Sequence, residues 1–184
     1  MTTQIRCVSL AHRHRSVDLE HGMNRDELTA RRKEIAARLM QPREQRPESS
    51  ARGVHHVALL SSDVERTVDF YQGLLEFPLT DMFENRDYEG STHFFFDIGH
   101  GNAIAFFDLP GLDLGPYAEV LGGLHHLAIS VEPERWAHLK AKLDDAGLAY
   151  HEAGGSSIYL TDPDGARVEL ISDSLLTMYG HEVG

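Results

Sequence analysis

Between residues 53 and 172 the hydrophobic positions switch twice between a strand-like and a helix-like spacing. The apolar run "VHHVALL" (54–60) ends at "SSD", where Asp63 can cap a helix. In the next twelve residues, "VERTVDFYQGLL", the positions Val64, Val68, Tyr71 and Leu75 recur at helical spacing. Three strand-like segments follow: "PLTDMFEN", "THFFFDIG" and "AIAFFDL". The order then repeats. "LHHLAIS" (124–130) precedes the helical "PERWAHLKAKLDDAG", with Pro133 in its first turn, and then come "AYHEA", "SIYLT" and "RVELIS". "TDPDGA" joins the last two, with Asp162, Pro163 and Gly165 suited to positions i, i+1 and i+3 of a type I turn. Each copy therefore predicts βαβββ. One such half cannot bury a sheet face alone, so two should pack together. The expected class is α+β, with paired βαβββ modules at 53–118 and 119–174, forming a shared cleft.

The flanks read differently. "HRHR" (12–15) and "QPREQRPESSARG" (41–53) are polar or proline-bearing and read as loop or linker. Between them "NRDELTARRKEIAARLM" predicts a helix over about 25–40. Asn24 caps it, Glu27 completes a capping box, and Leu28, Ile35 and Leu39 form a rough apolar stripe. Residues 1–52 thus form an N-terminal extension with one helix, suited to docking on the main domain or on a partner subunit. The stretch before Met23 reads as tag-like or disordered, and residues 175–184 as a C-terminal tail.

Composition narrows the function classes. An apolar share of 41% supports a globular core, and the 184-residue chain has a net charge of −12 without a dense basic stripe. Nucleic acid is therefore not an expected partner. No run approaches membrane-spanning length, and Cys7 is the only cysteine, which excludes an intramolecular disulfide. These features point to a soluble, cytoplasmic protein.

The chemistry lies in the strands. Glu169, between Val168 and Leu170, is either a buried carboxylate in need of a cation or strong donors, or an edge residue pointing at water. "GVHHVAL" (53–59) and "GLHHLAI" (123–129) place two His-His pairs 70 positions apart in register. Neutral imidazoles are common metal ligands, and two histidines with one carboxylate can hold one face of an octahedral ion. Strand alternation lets only one histidine of each pair face the cleft, and periodicity does not choose between His55 and His56 or between His125 and His126.

"GVHHVALLSSDVERTVDFYQGLL", "LHHLAISV" and "YLTDPDGARVEL" resemble the vicinal oxygen chelate superfamily, which comprises glyoxalases, extradiol ring-cleaving dioxygenases, and fosfomycin- and bleomycin-resistance proteins. The resemblance spans about residues 53–173. It implies a divalent metal held by His56, His126 and Glu169, and it implies a homodimer as the common assembly. A fourth, glyoxalase-type ligand is expected near Ala105 and Phe106, where no carboxylate stands. The basic cluster of the fosfomycin enzymes is missing after Arg167, and the metal-free bleomycin binders lack the triad. The extradiol dioxygenases match best. They imply Fe(II), with Tyr159 holding a substrate oxygen and His100 or His151 moving protons. A glyoxalase-like isomerase, epimerase or lyase using Mn(II), Ni(II), Co(II) or Zn(II) is the alternative enzyme, and a metal-free small-molecule binding or resistance protein is the alternative outside enzymes. His93, in "THFFFD", reads as an ordinary strand residue.

Overall fold

The computed structural model describes residues 24–178 and 181–183. The "HRHR" segment, Cys7 and the expected tag-like start lie outside these residues. The chain divides after Gly53 into two units. In the first, α1 (Arg25–Leu39) starts at a full capping box. The Asn24 side chain accepts from the amides of Asp26 and Glu27, and the Glu27 carboxylate accepts from the Asn24 amide at 2.8 Å. A single 3₁₀ turn follows at Arg43–Gln45.

The second unit holds two four-stranded sheets. The first contains β1 (His56–Ser61), β2 (Leu79–Glu84), β3 (Thr92–Asp97) and β4 (Ala103–Asp108), in the order β1-β4-β3-β2. The second contains β5 (Leu127–Ser130), β6 (Tyr150–Ala153), β7 (Ser157–Thr161) and β8 (Arg167–Ile171), in the order β5-β8-β7-β6. The two orders are identical, and in each the outermost pair of the repeat is parallel. The crossovers run through α2 (Val64–Val68) and α3 (Pro133–Asp145). Asp63 caps α2 by accepting from the Arg66 amide at 3.0 Å. The C-terminal tail adds a small ladder between β9 (Thr177–Met178) and β10 (His181–Glu182).

One predicted element comes out differently. The α-helix expected over 64–75 keeps α geometry only to Val68, and Asp69–Leu74 continue as a π-helix. The wider turn brings the adjacent rings of Phe70 and Tyr71 into the core together, their centroids 5.0 Å apart. The predicted spacing used Tyr71 alone, since an α-helix would splay its neighbour away.

Each sheet buries one face in a single core. Phe94, Phe96, Ile104 and Phe106 from the first sheet join Ile129, Ile158, Leu160, Val168 and Leu170 from the second. Phe70, Tyr71 and Leu75 from one crossover, with Trp136, Leu139 and Leu143 from the other, complete it. Fully burying side chains of this size contributes roughly 1.5–3 kcal/mol each before entropy is counted. Polar links also tie the modules together. The Tyr71 hydroxyl donates to Asp162 at 3.2 Å, and Asp162 in turn holds its turn by accepting from the Asp164 and Ala166 amides. Burial, reinforced by the Asp162 charge, pushes the Tyr71 pKa well up, so the phenol stays a donor. Glu76 reaches across to α3, where Lys142 Nζ donates to it at 2.7 Å beside His138 and Arg135.

Candidate functional site

The faces turned away from this core carry the polar chemistry. On β8, alternation places Val168 and Leu170 in the core, so Glu169 points to the opposite face with Arg167. Ladder register sets Glu169 beside Ala128 on β5 and beside Tyr159 on β7, and Tyr159 beside His151 on β6. His126, just before β5, shares the side of Ala128. Its Nε2 stands 3.1 Å from Glu169 Oε2. The Tyr159 ring lies 5.8 Å from His126 and 6.4 Å from His151, centroid to centroid. One face of the second sheet therefore brings together His126, Glu169, Tyr159 and His151.

Glu169 is the unusual member. It is 1% exposed, and its Oε1 is buried with no hydrogen-bond partner among the described residues. Leaving a carboxylate oxygen in this state costs about 1–3 kcal/mol or more, and native structures rarely tolerate it without a reason. A nitrogen donor, a half-paired carboxylate and a neighbouring phenol form a donor set that suits a divalent metal.

A hydrogen-bond chain fixes the orientation of His126. Arg167 has only protons to give, so His125 Nε2 accepts from Nη1 at 3.2 Å. His125 then donates through Nδ1 to His126 Nδ1 at 2.6 Å, and His126 Nε2 faces Glu169. Arg167 is held in turn by Glu119 at 2.7 Å. His125 stood in the sequence only as the alternative to His126, and Arg167 did not stand out; a pairing of strand neighbours across a ladder leaves no spacing signature.

His56 sits on the first sheet. Its register partner is Ala103, and alternation puts it with Ala58 and Leu60 on the face opposite the core. Its Nδ1 lies 2.8 Å from His55 Nδ1, and its ring 6.2 Å from that of Phe95. Because both sheets turn their other face into one core, His56 and Glu169 stand on opposite sides of it. Among the described residues, no three His, Cys, Asp or Glu side chains gather closely enough to hold a metal. His100 falls in the exposed turn between β3 and β4, with φ 53°, beyond the strand end nearer His56. The structure thus brings together His126, Glu169, Tyr159 and His151, and leaves His56 and His100 apart from them within one chain.

His93 also lies on the outer face of the first sheet, stacked on Phe107 at 3.8 Å. Burial lowers its pKa, and the nearby His56 adds to the effect. Its two-residue spacing from Phe95 was the available signal, but alternation alone does not tell which face of a strand is buried.

Comparison with known proteins agrees with this architecture. The sequence model of the Glyoxalase/Bleomycin resistance protein/Dioxygenase superfamily matches residues 53–170. The "Putative ring-cleaving dioxygenase MhqA" of Bacillus subtilis is 24% identical over an alignment of 136 residues that covers 70% of this chain and 42% of that protein. The chain thus spans less than half of that relative. The "Lactoylglutathione lyase" of Escherichia coli O157:H7 is 30% identical over 129 residues, covering 64% of this chain and 90% of the enzyme. Among solved structures, the fosfomycin resistance protein FosX from Mesorhizobium loti shares the fold, with a TM-score of 0.52 at 22% identity over 68% of this chain and 94% of that one. Among the described residues, no helix is long and apolar enough to cross a membrane.

Proposed function

The chain belongs to the Glyoxalase/Bleomycin resistance protein/Dioxygenase superfamily, and on that premise we propose that it is a metal-dependent enzyme of the extradiol ring-cleaving type. Its substrate is a small aromatic molecule with two adjacent oxygens. The single observation that carries this reading is the buried Glu169 carboxylate, paired to the half-buried His126 through one oxygen and without a partner among the described residues for the other. His126 Nε2 and the Glu169 carboxylate would hold the metal, with His56 as the third ligand. A divalent ion there, Fe(II) in this reading, would supply a Lewis acid for the paired substrate oxygens and an open position for O₂.

His56 must come from a second copy of the chain, since within one chain it faces away from Glu169. Two copies related by a twofold axis would set the first-sheet face of each against the second-sheet face of the other, giving two equivalent sites per dimer. Exposed Leu60 and Phe83 on that face of the first sheet support such a pairing.

The remaining roles follow from position. The Tyr159 hydroxyl donates to a substrate oxygen beside His126, which holds the diol in one orientation. His151, across the ladder from Tyr159, takes or returns a proton at the ring nitrogen nearest the substrate. Freeing His126 Nε2 as a ligand requires Nδ1 to carry its proton. That reverses the donor order within the His125–His126 pair and leaves Arg167 to Glu119.

The lactoylglutathione lyase relative, matched over 90% of its length, favours a second reading in which the same residues serve an isomerase or lyase using Mn(II), Ni(II), Co(II) or Zn(II). One experiment separates the two. Protein loaded anaerobically with Fe(II) and given catechol should consume O₂ and form a ring-opened product absorbing in the visible or near ultraviolet. If protein loaded with Ni(II) or Zn(II) and given methylglyoxal with glutathione in place of catechol isomerises their hemithioacetal to lactoylglutathione without O₂ uptake, while the Fe(II) protein leaves catechol intact, the second reading is established.

A further inference from the structure

The outer face of the first sheet holds a second orphaned buried atom. His93 Nε2 is buried and has no hydrogen-bond partner among the described residues. Its ring is walled by phenylalanines: Phe107 stacks on it at 3.8 Å with planes 23° apart, Phe95 lies at 4.3 Å, and Phe83 at 5.3 Å. Register explains the cluster. His93 pairs with Phe107 on β4 and with Phe83 on β2, and two residues on Phe95 points the same way. The face is not closed off within the chain, since Phe83 is 48% exposed and Ala58 on β1 is exposed as well. His56 edges the same cluster through Phe95.

A lone polar nitrogen in an aromatic wall is costly for a core that could have used another phenylalanine. The same arrangement suits a ligand: flat apolar walls for a ring, and one polar group to fix its orientation. We infer that His93 is a specificity residue, whose Nε2 hydrogen-bonds a hydroxyl on an aromatic substrate lying against Phe83, Phe95 and Phe107. A hydroxyl both donates and accepts, so it satisfies either form of the neutral imidazole. This deepens the reading above and rests on it for one point only, that the His56 face belongs to the active cleft.

The test uses full-length protein and two small probes, phenol and toluene, which share a ring and differ by the hydroxyl. Titrations are followed by nitrogen-15 NMR of the histidine rings. Phenol is expected to shift the His93 Nε2 resonance and to bind His93→Phe roughly 3–10-fold more weakly than wild type, the range of one hydrogen bond. Toluene should bind both proteins within twofold. His93→Gln, which keeps a polar group, should retain part of the preference for phenol and serves as the check if the phenylalanine variant does not fold. Phenol that leaves the His93 resonance unmoved, or that binds wild type and His93→Phe alike, overturns the assignment. The titrations are run in excess chelator, so the outcome is independent of metal. If catechol fails to bind metal-loaded protein while phenol still moves His93, the dioxygenase reading falls and the role of His93 stands.

Discussion

Replacing Glu169 with methionine should make the metal-free protein more stable and the metal-supplied protein less stable than wild type. The carboxylate is 1% exposed and only half paired, so in the metal-free state it carries the penalty of an unsatisfied buried oxygen. That penalty is about 1–3 kcal/mol. Methionine is unbranched and of similar length, so it can occupy the same space between Ala128 and Tyr159 without that cost. His126 loses its partner, but its side chain is 29% exposed and water can take the bond. The net gain is therefore about 1–2 kcal/mol, or roughly 3–8 °C in Tm for a unit of this size.

Metal reverses the order. A ligand at one hundred times its Kd adds about 2.7 kcal/mol to the protein that binds it and nothing to the one that cannot. Wild type should then exceed Glu169→Met by about 1 kcal/mol. Thermal melts of both proteins in excess chelator and in excess Mn(II), a redox-stable probe, provide the comparison. If Glu169→Met is the less stable protein in chelator, the carboxylate is a satisfied structural group, and reading its free oxygen as a ligand position is wrong.

Two further outcomes follow from other parts of the structure. Lys142, with His138 and Arg135, holds the Glu76 carboxyl down to about 2, below its ordinary value. A lowered carboxyl pKa stabilises the fold above the usual carboxylate range, and that stability is lost as pH falls through the folded value. After allowance for solvent screening this amounts to about 1 kcal/mol. Chemical denaturation of wild type between pH 5 and about 2 should show the loss, and Glu76→Gln, which keeps the same positive φ of 61°, should lack that part of the slope. Tyr159→Phe should bind metal as wild type does yet lower kcat/KM for catechol about 10–100-fold, as expected for a hydrogen bond to a developing charge; an unchanged value would make Tyr159 a packing residue.

Much of the fold was legible because local chemistry and periodicity agreed. Asn24 and Asp63 cap the helices where their side chains predict, and the Asp162–Gly165 turn closes with a 3.1 Å bond. The repeat of strand, helix and three strands appears as two sheets of identical order. The π-helix at Asp69–Leu74 was not legible, since its cause is the joint burial of Phe70 and Tyr71 against residues far away in sequence. At the site, the sequence left open which histidine of each pair faces the carboxylate. The ladder answers for the second module by setting His126 against Glu169. The side to which His93 points was not legible because "THFFFD" reads the same whichever side is buried, and only the packing of Phe94 and Phe96 into the core decides it. The separation of His56 from Glu169 lies beyond any single-chain pattern, because it depends on both sheets sharing one core.

The central claim is a metal held by His126 and Glu169 of one chain and His56 of another. The most direct measurement is metal content, by mass spectrometry, of wild type, His56→Ala, Glu169→Ala, and an equal mixture of the two variants unfolded and refolded together. The account predicts about one divalent ion per chain in wild type and none in either variant. The mixture should recover about a quarter of the wild-type content, since half the dimers are mixed and one of their two sites is intact. Metal retained in Glu169→Ala, or a mixture as empty as its components, would contradict it.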